Sequence, residues 1–473
     1  MPSDSPLDRS ARYIGLLALA ALPVLASRPL SAQKQSPPAP GVPKDFRVPA
    51  RYSFSLPNGM RVSIVPYGTV PMVYVRLIVR GGHQLESSSE VWLSDLSGDM
   101  MQAGGAGART GEQIARDVAS MGGDLSVNVG PDRSNIAGDV LAERGPDFVR
   151  LVADVARRPR FAESEFARVK ATRLRNLSIA RSQAQGLAQE RFAALMFGDH
   201  PYAHTFPTET MLQGFTLDQA RRFWSANFGA ARSELFVTGV FDRAAMEQAI
   251  RAAFSDWAAG PAPVTVPAPT PATERTVALI DRPGAVQSTV VVGIRTPGPA
   301  DSSYIPLVVT NALLGGAFGS RITSNIREQK GYTYSPFGSL TTLQTGSYWA
   351  EQADVTTKVT GPSLTEIFGE IERLRKEAPP ADELRGIQNN LVGIFTLRNG
   401  SRSGVAAQLA FADQYGLGDD FLTTYVRRVL AVTPEQVRRS AEAYLVPEHM
   451  QLVVVGDKKT VADQLSAWGK IVP

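Results

Sequence analysis

The side chains of this sequence that could do chemistry are few, and most are badly spaced for it. The chain has 4 histidines and no cysteine, so thiolate metal sites, disulfides and a lipid-modified cysteine are all excluded. His200 and His204 stand at i and i+4, but Gly198 and Pro201 interrupt any helix that would put both rings on one face. His83 and His449 are isolated in turn-like sequence and read as solvated. Asp95 and Asp99 have a sound i, i+4 spacing. Two carboxylates without an imidazole make a poor zinc site, however, and no third ligand is in view. They read as exposed polar positions on a capped helix. The Gly-rich stretch Leu314-Gly-Gly-Ala-Phe-Gly-Ser-Arg321 lacks the Lys-Ser/Thr of a phosphate loop and follows a helix instead of a strand. Close backbone packing or a tight turn accounts for it.

The elements that must position these residues mix strands and helices. Ser87-Ser-Ser-Glu90 has the form of a capping box opening the helix that carries Asp95 and Asp99, with Leu93, Leu96 and Met100 as its apolar face. Tyr74–Val79 and Val290–Ile294 are β-rich runs. Asp147–Arg157, Glu163–Phe197 and Glu383–Tyr415 carry helical apolar spacing. Strands cluster with long helices between them, which favours α+β layers over a doubly wound parallel sheet.

The chain of 473 residues also repeats itself. Thr216-Leu-Asp-Gln-Ala-Arg-Arg222 matches Thr433-Pro-Glu-Gln-Val-Arg-Arg439, and Leu235-Phe-Val-Thr-Gly239 matches Leu452-Val-Val-Val-Gly456, both 217 residues apart (433 − 216 and 452 − 235). Each copy reads as a helix opened by a threonine N-cap and then a buried strand ending at glycine. Two matches at one offset imply two copies of one domain. A Pro-rich run from Gly260 to Thr273 divides them and cannot join a sheet or pack as a helix. The expected organisation is a signal peptide over 1–32, a Pro-rich lead over 33–50, domains over 51–258 and 276–473, and a linker over 259–275.

The signal reading rests on Arg9 and Arg12 ahead of the apolar run Tyr13–Ala26 and the small-residue stretch Pro29–Ala32. The run is short and contains Pro23, which argues against a stable membrane anchor. The expected location is periplasmic or secreted. A formal charge of +4, from 49 basic and 45 acidic residues, is a weak field over this length. No basic block with interleaved aromatics points to nucleic acid.

Three segments resemble peptidase family M16, the pitrilysin or insulinase type. Phe54-Ser-Leu-Pro-Asn-Gly-Met60 is similar to the family's first strand, and Leu195-Met-Phe-Gly-Asp-His-Pro-Tyr202 to its His-Pro-Tyr segment. Leu313–Arg321 running into Ile326-Arg-Glu-Gln-Lys-Gly-Tyr-Thr-Tyr-Ser335 resembles its second-domain signature. The resemblance implies two homologous α+β domains of the LuxS/metallohydrolase-like kind, each an antiparallel sheet packed by helices, enclosing a peptide chamber. Active members carry His-x-x-Glu-His on a first-domain helix, two zinc ligands flanking a general base. On that pattern Asp95, Gly98 and Asp99 fall where His, Glu and His belong. The third ligand is a glutamate one long helix later, and between Phe166 and Gln189 this chain has none. The resemblance therefore implies no metal on this chain, and no cofactor bound by it.

Arg327 and Tyr334 match the family's Arg and Tyr, seven residues apart, which reach the substrate at the zinc. Alone, Arg327 would only favour a helix C-terminus and Tyr334 would only open and pack in a strand. Within the motif they imply transition-state stabilisation: attack on a peptide carbonyl puts negative charge on oxygen, and a phenol and a guanidinium are its donors. An Arg–Tyr half without a zinc half implies a non-catalytic subunit of a heterodimeric zinc endopeptidase, serving a zinc-bearing partner and a peptide or unfolded-protein substrate. The alternative is a peptide-binding or structural scaffold with no role in hydrolysis.

Overall fold

The computed structural model describes residues 46–418 and 420–472. The expected signal peptide, and the expected Pro-rich lead as far as residue 45, lie outside the described residues. Two six-stranded sheets organise the rest. The first holds β1 (Tyr52–Ser55), β2 (Arg61–Pro66), β3 (Met72–Val79), β4 (Ser126–Val129), β5 (Ser134–Leu141) and β6 (Ser233–Gly239), in the order β1-β2-β6-β3-β5-β4. The second holds β7 (Thr276–Asp281), β8 (Gln287–Arg295), β9 (Phe337–Thr341), β10 (Tyr348–Thr356), β11 (Gln451–Gly456) and β12 (Ile471–Val472), in the order β12-β7-β11-β8-β10-β9. From β2 and β7 onward the two orders are the same. Each sheet is mostly antiparallel, with β2–β6 parallel in the first and β7–β11 and β7–β12 parallel in the second. The parallel β2–β6 and β7–β11 pairs need long crossovers, which the chain supplies by running its helices between them.

The helices that matter below are α1 (Leu93–Ala103), α2 (Glu163–Ser182), α3 (Ala184–Phe197), α4 (Leu217–Asn227), α5 (Tyr304–Asn311), α6 (Ala381–Arg398), α7 (Arg402–Tyr415), α8 (Asp420–Leu430) and α9 (Pro434–Tyr444). α4 and α9 are the repeated helices, and each opens on a complete capping box: Thr216 with Gln219, and Thr433 with Gln436. The repeated strands are β6 and β11, buried along their whole length.

The single helix expected over 163–197 is two. Gln183 adopts an extended conformation, and α3 turns back across the end of α2. A Cβ on Gly186 would lie 2.1 Å from the Ala180 carbonyl oxygen, so only glycine allows the approach. The second half repeats the break between α6 and α7. There a Cβ on Gly404, 218 residues after Gly186, would lie 1.7 Å from the Arg398 carbonyl oxygen.

The turned-back helices are exchanged between the halves. α3 lays Ala188, Phe192, Ala193 and Met196 on Val291, Ala350, Val453 and Val455 of the second sheet. Phe192 sits directly over Gly293, where a Cβ would meet its ring at 2.5 Å. Reciprocally, Val405, Ala406 and Leu409 of α7 share one core with Val65, Ile78 and Phe236 of the first sheet. The Pro-rich run between the halves is extended, as its prolines dictate, and it is docked. Its carbonyls accept from Arg232 (Ala262 O, 2.9 Å), His200 (Pro267 O, 3.0 Å) and Arg295 (Pro269 O, 3.3 Å). No helix among the described residues is long and apolar enough to cross a membrane.

Candidate functional site

α1 buries Leu93, Leu96, Met100 and Met101 in the first core, so Asp95, Gly98 and Asp99 face the other way, toward α2 and β4. The expected cap is corrected. Ser87 does bond Glu90 through both its backbone N–H (3.3 Å) and its hydroxyl (2.8 Å), but that turn ends before the helix. The helix starts at Leu93 after Trp92 in the left-handed region (φ 69). Its open N–H groups are met by Glu86, which accepts from Trp92 N–H (3.1 Å), Ser94 N–H (2.7 Å) and the Ser94 hydroxyl. Burial pushes the Glu86 carboxyl up to about 7.

Asp95 and Asp99 are not the exposed positions expected of them. Asp95 is buried, and both carboxylates grip one cation, the guanidinium of Arg173 from α2. Arg173 Nη1 lies 3.2 Å from Asp95 Oδ1, and Nη2 donates to Asp99 Oδ1 at 2.8 Å. Nε donates to Asp99 Oδ2, and the guanidinium also lies 5.8 Å from the Trp92 ring. The remaining oxygen, Asp95 Oδ2, lies 3.0 Å from His83 Nε2. All four carboxylate oxygens are therefore taken.

His83, expected to be solvated, is half-buried in this cluster. Burial pulls its imidazole down, but the hydrogen bond and charge of Asp95, with Glu86 behind it, more than offset that and leave its pKa raised.

The zinc chemistry implied by the family pattern does not fit these residues. A guanidinium already fills the place between the two carboxylates. Among the described residues no group of three or more His, Cys, Asp or Glu side chains is arranged to hold a metal ion. Position 98 has no side chain to act as base, and a Cβ there would lie 2.9 Å from Val129 Cγ2 and 3.5 Å from Val127 Cγ1 of β4. Sequence reasoning noticed the missing glutamate on this helix and missed Arg173. The signal was there: a long cation on the segment that should have carried a ligand.

Arg327 and Tyr334 are brought together. Arg327 lies in the last turn of a π-helical segment over Thr323–Gln329, and its guanidinium lies 5.3 Å from the Tyr334 ring centroid and 4.3 Å from that of Phe318. Cation–π contact holds the three as a stack. The segment is anchored from behind. Arg321 makes a bidentate pair with Glu383 (2.7 and 2.8 Å), and the Asn325 amide donates to Glu366 and Glu370 at 2.9 Å each. Tyr334 does not open a strand, since β9 begins at Phe337; its side chain is 80% exposed and Phe318 76%. Neither Arg327 nor Tyr334 hydrogen-bonds or ion-pairs with Asp95 or Asp99 among the described residues.

The Gly-rich stretch is a close approach. Gly315 and Gly338 press on Glu351 of β10, where Cβ atoms would meet Oε2 at 2.1 and 2.7 Å. Glu351 is fully buried, and neither of its carboxyl oxygens has a partner. Burial raises its pKa well above the ordinary carboxylate range. His200 and His204 form no metal pair: His200 bonds the Pro267 carbonyl and accepts from Tyr202 N–H at 3.1 Å. His449 is exposed, as expected.

Twin mixed sheets with exchanged helices, a first-half helix whose acidic pair is closed by Arg173, and a second-half Arg–Tyr stack together define a two-domain, peptidase-like fold. Residues 63–207 match the family model described as insulinase (peptidase family M16), and residues 214–391 match the peptidase M16 inactive domain. This chain belongs to peptidase family M16. It is 24% identical over 376 residues to an uncharacterized zinc protease of Mycobacterium bovis, covering 76% of this chain and 83% of that protein. Two solved structures share the fold. The peptidase M16 inactive domain from Pseudomonas fluorescens has a TM-score of 0.78 at 22% identity, covering 86% of this chain and 98% of that one. A protease from Helicobacter pylori has a TM-score of 0.79 at 19% identity, covering 86% and 99%.

Proposed function

We propose that this chain is the non-catalytic subunit of a heterodimeric zinc endopeptidase, lending Arg327 and Tyr334 to a zinc-bearing partner of the same family. The observation that carries the reading is an asymmetry. The α1 site is closed by Arg173, while the Arg327–Tyr334 segment is anchored from behind through Arg321 and Asn325 and leaves Tyr334 exposed in front. A structural role would not need so exposed a phenol. When a peptide carbonyl is attacked, its oxygen becomes an anion, and the Tyr334 hydroxyl and the Arg327 guanidinium are the donors this chain offers it. The substrate is a peptide or an unfolded protein. The N-terminal charge-then-apolar order supports a periplasmic or secreted location.

The test is reconstitution with a zinc-bearing member of the family and measurement of kcat and KM for wild type, Arg327→Ala and Tyr334→Phe. A fall in kcat with assembly intact supports the reading. An unchanged kcat in a correctly assembled complex would leave the chain a peptide-binding or structural scaffold.

A further inference from the structure

Helices α5, α6, α7 and α8 and the edge strand β9 surround a cavity of about 510 Å3. That volume lies within the range of small-molecule sites. Its walls are aromatic and locked by stacking. Phe395 lies on Tyr425 with ring centroids 4.4 Å apart at 22°, Phe421 meets Tyr425 at 6.1 Å, and Tyr304 meets Phe411 at 6.4 Å. These contacts fix where the phenol oxygens of Tyr304 and Tyr425 stand.

Both tyrosines are half-buried, and among the described residues neither hydroxyl finds a protein hydrogen-bond partner. Arg398, the last residue of α6, lines the same cavity, has no carboxylate partner among the described residues, and its charge acts on both phenols. Two phenol hydroxyls and a guanidinium thus line one cavity, and all three can donate to a ligand there. The complement of three donors beside the Phe395, Phe411 and Phe421 rings is an anion with an apolar body.

We propose that this cavity binds an amphiphilic carboxylate, its body against Phe395, Phe411 and Phe421 and its head accepting from Tyr304, Tyr425 and Arg398. A fatty acid and the free C-terminus of an apolar peptide share this chemistry. Burial raises the pKa of both phenols, that of Tyr425 to about 12, so they stay protonated and donate across the neutral range. The site does not depend on a zinc-bearing partner, and it can be tested on the chain alone.

Titration calorimetry on the full mature chain decides it, with decanoate below its micelle concentration against decanol and decyltrimethylammonium. A second arm compares an apolar tetrapeptide as free acid and as C-terminal amide. The expected result is saturable binding of at least one free acid, tenfold or more tighter than its neutral counterpart. Arg398→Gln and the double variant Tyr304→Phe/Tyr425→Phe should each weaken it by roughly tenfold or more. Arg398 is exposed at the mouth, so Arg398→Gln keeps the test valid even if the tyrosine double variant fails to fold. The acid that binds more tightly identifies the source. The proposal is overturned if neither acid binds saturably, if acid and neutral probe bind alike, or if Arg398→Gln leaves the affinity unchanged.

Discussion

Arg173 does for α1 what a metal ion would do: it lets two carboxylates four residues apart share a face without repelling each other. Removing it should be costly, because Asp95 would remain buried with only His83 beside it and Asp99 would lose its cation. Arg173→Met is expected to lose roughly 2–4 kcal/mol of stability, discounted for the partial exposure of Asp99. Adding Asp99→Asn should restore most of that loss, and denaturant unfolding of the single and double variants measures both. Arg327 and Tyr334 behave differently, because nothing in the fold leans on the Tyr334 hydroxyl. In a reconstituted complex, Tyr334→Phe and Arg327→Ala should each lower kcat by roughly 10²–10³-fold with little change in KM, since both donors act on charge that appears only in the transition state.

Glu351 gives a third prediction at the same scale. Its folded pKa is raised, so between about 4.5 and that value the folded chain keeps a proton that the unfolded chain has lost. Its contribution to stability is fully present below the unfolded pKa and falls as pH rises, by about 1.4 kcal/mol per unit for one proton. Glu351→Gln should flatten the pH dependence of stability above the ordinary carboxylate range, as far as the raised folded pKa, by that slope. Melting curves across that range test this, and identical slopes in the two proteins would refute it. The residue scale is also where the sequence was least legible. Asp95, Gly98 and Asp99 could be found by pattern, but their partners could not. His83 and Arg173 lie 12 and 78 residues from Asp95 and meet it only through tertiary packing. Nothing local in the sequence marks Glu351, whose burial under Gly315 and Gly338 is set by tertiary packing.

At the scale of elements, the repeat at an offset of 217 was readable because capping chemistry is local: Thr216 and Thr433 need only the glutamine three residues on. The breaks at Gln183 and Asn399 were not readable, because apolar periodicity runs straight through both. What marks them is Gly186 and Gly404, whose missing Cβ is legible only once the partner carbonyl is known. Gly404→Ala should therefore destabilise the chain by more than the propensity scale allows. Alanine is ordinarily the better helix former by about 1 kcal/mol, whereas here it collides with the Arg398 carbonyl. Gly393→Ala on α6, where a Cβ meets nothing within 4 Å, should be neutral or stabilising, and the pair of variants separates the close approach from helix propensity. If Gly404→Ala were as harmless as Gly393→Ala, the turn between α6 and α7 would not require glycine.

At the scale of the molecule, the exchange of α3 and α7 means that neither sheet is covered by its own half alone. Residues 46–275 by themselves would expose the face of α3 that carries Phe192 and Met196, and would strip α7 from Val65, Ile78 and Phe236. Fully burying a side chain of that size contributes roughly 1.5–3 kcal/mol, so exposing five of them costs as much as a typical margin of stability. Each half should aggregate or remain molten when made separately, with dye-binding apolar surface and poor near-ultraviolet dichroism. The two halves made together should associate into a folded complex, because the exchanged helices are also the contact between them. Ion pairs add register to that contact: Arg51 with Asp413, and Arg402 with Asp139 at 3.1 Å, both join the first half to α7. Reversing one pair, Arg402→Asp with Asp139→Arg, should preserve reassembly better than either single change. Two halves that each folded cooperatively alone, with the melting behaviour of the intact chain, would show that the crossing helices are dispensable and that this view of the fold is wrong.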